Sequence, residues 1–206
     1  MPHRHMPRHI GRAASWMLAA ALLGAAATRA AAEPVDPWTK GAEWFTVRAG
    51  YAKSTAAGAA DGNVGLAFSY TRLESAKWSY GGTVEWNVLG KFADARELEI
   101  PWTVEVTRHY KWPTDLRPYF GLGLGAYYHQ FSGTGNDGST LEGGGFLSTG
   151  FNMPISNNGL FGLDVRMNVV HNSGSANPVF GGEASGSEAQ QHVQHWGVKF
   201  GYSWVF

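Results

Sequence analysis

The last fifteen residues, His-Val-Gln-His-Trp-Gly-Val-Lys-Phe-Gly-Tyr-Ser-Trp-Val-Phe, constrain the fold more than any other stretch. From Trp196 on, every even position is apolar or aromatic: Trp196, Val198, Phe200, Tyr202, Trp204 and Phe206. The odd positions His195, Gly197, Lys199, Gly201 and Ser203 are small or polar, and Val205 alone departs from the rule. A period of two places the two sets on opposite faces of a strand. A soluble sheet strand alternates as well, but it buries its apolar face and seldom carries four aromatics on it within so few residues. Large apolar and aromatic side chains on one face, with polar ones on the other, are the pattern of a strand that crosses a membrane in a β-barrel.

Seven earlier segments alternate in the same way, at 43–54, 63–74, 78–90, 98–111, 117–132, 140–155 and 159–173, before the last at 192–206. Each exceeds the ~9–11 residues that a tilted membrane strand needs. The connections differ in length by turns. Those at 75–77, 112–116 and 156–159 are short, whereas those at 55–62, 91–97, 133–139 and 174–191 are longer. Tight turns on one side and long loops on the other is the layout of an up-and-down barrel. The expected fold is all-β: an eight-stranded antiparallel up-and-down transmembrane β-barrel over residues 43–206, after a periplasmic lead-in at 33–42.

The faces agree from strand to strand. Outward rows include Phe45, Val47, Ala49 and Tyr51, then Val84, Trp86 and Val88, then Phe161, Leu163, Val165, Met167 and Val169. The inward face carries Arg48, Glu85, Glu105, Asp164, Arg166 and Lys199, with His109. Buried charges must pair, so three bases and three acids predict a charge-paired lumen. Eight strands leave room only for side chains, which predicts a closed, non-porin interior. Gly121, Gly123 and Gly125 alternate within a strand that no helix follows, so they thin the inward face and are not a phosphate loop.

The start of the chain reads as a secretory signal peptide over residues 1–32: Arg4, Arg8 and Arg12, an apolar run at 13–27, then Ala30-Ala31-Ala32. Its removal takes away four of the 16 basic residues and none of the 16 acidic ones, leaving a net charge of −4. That sign, without a basic stripe, excludes nucleic acid as a partner. Cysteine is absent, so thiolate metal sites and disulfides are too. His192 and His195, three apart on a strand, point to opposite faces and cannot share an ion. No metal and no cofactor is expected.

Arg-Pro-Tyr-Phe-Gly-Leu-Gly-Leu-Gly-Ala-Tyr-Tyr at 117–128, with a final Phe preceded by alternate aromatics, resembles the small outer-membrane β-barrels of the OmpA and OmpX types. The resemblance implies a monomer in a bacterial outer membrane, in contact with its lipids and lipopolysaccharide, of structural or surface-interaction type. It also implies that Tyr202, Trp204 and Phe206 form the signal read by the barrel-assembly machinery. A second likeness rests on His171-Asn172-Ser173, whose odd positions continue the lipid-facing row of the seventh segment to its outer end. A His and a Ser two apart on one face suit an imidazole acting as general base on a hydroxyl, if an acid orients the ring. This arrangement resembles the lipid A deacylase barrels of the PagL kind, with Gly174 where that motif continues with Asn. That resemblance implies a lipid A 3-O-deacylase-like ester hydrolase in which His171 is the base, Ser173 the nucleophile and Glu183 or Glu188 the orienting acid. A third possibility is a soluble lipocalin-like binder, which would turn Lys199 and Arg166 to solvent and Trp204 to a ligand.

Overall fold

The structure, a computed structural model, describes residues 35–55, 62–92, 95–132, 138–171 and 192–206. Eight strands follow one another: β1 (Glu43–Ser54), β2 (Asn63–Ser75), β3 (Trp78–Phe92), β4 (Ala95–His109), β5 (Arg117–Ser132), β6 (Gly138–Ser156), β7 (Gly159–His171) and β8 (His192–Val205). Each pairs antiparallel with its sequence neighbours, and β8 returns to β1 from Trp44↔Val205 to Ser54↔His195, closing the barrel. Closure pairs every strand on both sides, the condition for a sheet to stand in hydrocarbon without unsatisfied edges.

The short connections lie at one end of the barrel with residue 206, here called the turn end; the opposite end is the loop end. Around the wall the polarity is inside out. Leu124 is 66% and Val104 61% exposed on the outer face, while Arg166 and Lys199 are 3% and 4% exposed within. This excludes the soluble lipocalin-like reading, which required those two cations outside. An apolar exterior of this extent is far beyond the patches that water-soluble monomers tolerate and matches a hydrocarbon surround.

Two expectations change. Val88, placed outward by parity, is 2% exposed. The β3–β4 register shifts between Val88 and Gly90, so Leu89 is an extra residue and Asn87, Val88 and Leu89 are buried in succession. A bulge of this kind breaks the period of two on which the placement relied. The connection expected at 91–97 is largely strand, because the β3–β4 ladder continues through Lys91↔Arg96 to Phe92↔Ala95.

Residues ahead of β1 belong to the barrel. Trp38 joins Trp44, Leu73, Leu160 and Val205 in an apolar cluster at the turn end, with Val35 packed against it. The two indoles meet edge to face at 5.1 Å, and Trp44 Nε1 donates to the Pro37 carbonyl at 3.1 Å. Gly41, at φ 88°, takes the left-handed turn that lets its N–H reach the Leu73 carbonyl at 2.7 Å. The turn end of the lumen is thereby stoppered with indole.

Candidate functional site

At mid-height the lumen is organised by Arg166 on β7. Its Nη1 lies 2.9 Å from Glu85 on β3, its Nη2 2.9 Å from Glu105 on β4, and its Nε 3.6 Å from Asp164 on its own strand. The guanidinium plane stacks on Phe146 of β6, 3.9 Å from the ring centroid. Phe146 finds room because its register partner is Gly123, where a Cβ would come within 2.5 Å of the ring. Lys199 on β8 is in close contact with the second Glu85 oxygen, and Tyr119 donates to Asp164 at 2.6 Å. Five of the six expected lumen residues thus meet in one layer. Arg48 stands lower, donating from Nη1 to Ser69 at 2.8 Å. With Glu105, Asp164 and His109 it lines a cavity of about 20 Å³, room for one water.

Toward the loop end is a second cluster that the parity argument passed over. Glu97 and Glu99 on β4 flank His129 on β5: Nδ1 is 3.0 Å from Glu97 and Nε2 3.7 Å from Glu99. The other Glu99 oxygen is 3.0 Å from His195 Nε2 on β8 and accepts from Asn87 at 3.2 Å. Glu142 on β6 is buried too, one strand from His129. The signal was present: Glu97, Glu99 and Glu105 share odd parity on one strand, and His195 belongs to the polar row of the last. The lumen is accordingly not balanced three against three. Among the described residues, six buried carboxylates (Glu85, Glu97, Glu99, Glu105, Glu142 and Asp164) face the cations of Arg48, Arg166 and Lys199, and the surplus sits where the basic partners are imidazoles. Among the described residues no three His, Asp or Glu side chains converge as a metal-ligand set.

On the outer surface, His171 ends β7, exposed at the loop end and in register with His192. Ser173, Glu183 and Glu188 lie outside the described residues. At the seam, Tyr202 and Trp204 pack edge to face at 4.8 Å. Phe206 exchanges backbone hydrogen bonds with Glu43, at 2.9 and 3.1 Å.

No protein-family model matches the sequence, and no curated protein does. Among solved structures, the chain is similar to neisserial surface protein A (NspA), with 15% identity, 81% of this chain and 100% of that one covered, and a TM-score of 0.64. It is also similar to the N-terminal barrel domain of Pseudomonas aeruginosa OprF, with 11% identity, 81% and 98% covered, and a TM-score of 0.51. The outer-membrane enzyme PagL aligns at 12% identity over 76% of this chain and 97% of its own, with a TM-score of 0.46, which carries no argument about chemistry. The fold is that of the small eight-stranded outer-membrane barrels.

Proposed function

We propose that the chain is a non-porin barrel of a bacterial outer membrane, of structural or surface-interaction type, exported by residues 1–32 and acting as a monomer. The observation that supports this is the pairing of an apolar exterior with a filled interior. Leu124 and Val104 stand exposed outside, while Arg166, Lys199 and their carboxylates occupy the lumen above an indole stopper. In this reading the fixed cations at mid-height and Trp38 with Trp44 below obstruct the lumen to solute. Reconstitution in a planar bilayer should therefore give no stepwise conductance, and porin-like unitary currents would overturn the reading. In this reading the last strand, with Tyr202, Trp204 and Phe206, is what the assembly machinery engages, and the loop end meets lipopolysaccharide.

A second reading is favoured by one feature. His171 continues the outward row of β7 beyond Met167 and Val169 to the loop end, where the outer leaflet's lipid would lie. Under it the protein is a lipid A ester hydrolase with His171 as base, Ser173 as nucleophile and Glu183 or Glu188 as orienting acid. Mass spectrometry of lipid A incubated with refolded protein decides it. Loss of one acyl chain with the wild type but not with Ser173→Ala assigns the enzyme, and unchanged lipid A with folded protein removes it.

A further inference from the structure

The charged side chains of the outer wall are not evenly placed at the turn end. Residues 150–163 and 200–206, which form that end of β6, β7 and β8, contain no Asp, Glu, Lys or Arg. The opposite arc, β2 to β4, is rich in cations. Arg108 stands on the outer face of β4 in register with Trp78 of β3. Its guanidinium lies between two exposed rings, 5.4 Å from the centroid of Trp78 and 5.3 Å from that of Tyr110.

Two turns meet beside it. The His109 N–H donates to the Lys77 carbonyl at 2.7 Å, and Arg117 Nη1 donates to the Ala76 carbonyl at 3.2 Å. The exposed Lys77 and Lys111 are thereby brought to the same corner as Arg108. The rim's carboxylates are largely taken elsewhere: Glu74 pairs with Lys40 at 2.7 Å and Glu43 lies 3.7 Å from Arg72. Among the described residues Lys77, Arg108 and Lys111 have no carboxylate within ion-pair distance, although Asp115 is exposed in the same turn as Lys111. Trp78, Tyr110 and Trp112, 44%, 44% and 57% exposed, supply the amphipathic rings that settle at headgroup level.

We propose that this corner, Lys77, Arg108 and Lys111 among Trp78, Tyr110 and Trp112, seats the headgroup phosphate of an anionic phospholipid in the leaflet at the turn end. The charge complementarity carries it. A guanidinium held between two rings keeps its N–H edge for a phosphate oxygen, and basic residues beside a membrane surface select anionic over zwitterionic lipid. The inference rests on the membrane reading given above. The test is native mass spectrometry of lipid retained after the barrel is extracted from mixed phosphatidylcholine–phosphatidylglycerol vesicles, with heat-modifiable gel migration confirming that each variant is folded. The wild type should retain phosphatidylglycerol preferentially. Arg108→Gln with Lys111→Gln should lower that preference about tenfold or more, and Lys53→Gln at the loop end should leave it unchanged. Equal retention of the two lipids by the wild type, an equal loss with Lys53→Gln, or removal of the preference by inorganic phosphate would overturn the proposal. Failure to insert into either vesicle would remove the membrane reading with it, whereas insertion without selectivity would remove this inference alone.

Discussion

Arg166→Met is the substitution that most directly tests the lumen. The change keeps an unbranched apolar side chain beside Phe146 and deletes the guanidinium, with its charge, its hydrogen bonds and its stack on the ring. Arg166 is shared by Glu85 and Glu105, each at 2.9 Å, and by Asp164 at 3.6 Å. Glu85 retains Lys199, but Glu105 loses the cation that meets it. Removing one partner of a buried pair costs about 3–5 kcal/mol because the other charge is left uncompensated. Lys199→Met should cost less, since Glu85 still faces Arg166. Adding Glu105→Gln to Arg166→Met removes the stranded charge and should restore about 1–3 kcal/mol, a coupling that a double-mutant cycle isolates. Urea unfolding in lipid vesicles, followed by tryptophan fluorescence, measures the wild type, Arg166→Met, Lys199→Met, Glu105→Gln and the double variant. An Arg166→Met unfolding free energy within about 0.5 kcal/mol of wild type, or a double variant no more stable than the single, would refute the charge-paired lumen.

Three further outcomes follow from the wall and the stopper. Leu124→Arg, in mid-wall opposite Val104, should cost about 2–4 kcal/mol of folding free energy in a bilayer; no cost would mean that this face does not meet hydrocarbon. Gly123→Ala places a Cβ 2.3 Å from the Val104 carbonyl oxygen and 2.5 Å from the Phe146 ring, which should cost about 1–3 kcal/mol. Gly143→Ala, with nothing within 4 Å, should leave the refolded fraction unchanged, and equal effects would break the packing argument. Trp38→Ala should lower stability by about 3–5 kcal/mol if residues 35–42 are part of the barrel, and an unchanged unfolding midpoint would make them a lead-in only.

Strand positions and faces were legible because a membrane barrel writes its polarity directly into alternate residues. β1 and β5 begin and end where the alternation does. The rule fails where geometry inserts a residue: the bulge at Leu89 buries Val88, and no period of two can foresee it. Trp38 was illegible for another reason. It lies in a Pro-containing segment with no period, and its role depends on Leu73, Leu160 and Val205 arriving from three other strands. The mid-height charges were readable by parity, whereas their partition among partners was not. Parity puts Glu85, Glu99 and Glu105 on one face, but only the register sends Arg166 to Glu85 and Glu105 and leaves Glu99 to the imidazoles.

The two ends of the lumen are held by different physics, and this bears on where a partner can act. At the turn end, indole packing and the Glu43–Phe206 backbone pair close the seam without depending on charge. At the loop end, Glu97 and Glu99 are met by His129 and His195, and among the described residues no guanidinium or ammonium is buried in that cluster. The strand ends that carry the loops are therefore joined through carboxylate–imidazole contacts among β4, β5 and β8, where the middle of the lumen uses a guanidinium and an ammonium. The indole stopper at the turn end and the filled middle leave the outer wall and the loop end as the surfaces open to a partner. Under the reading proposed above, recognition falls to the loop end, where a partner meets strand ends joined by carboxylate–imidazole contacts rather than by the guanidinium layer.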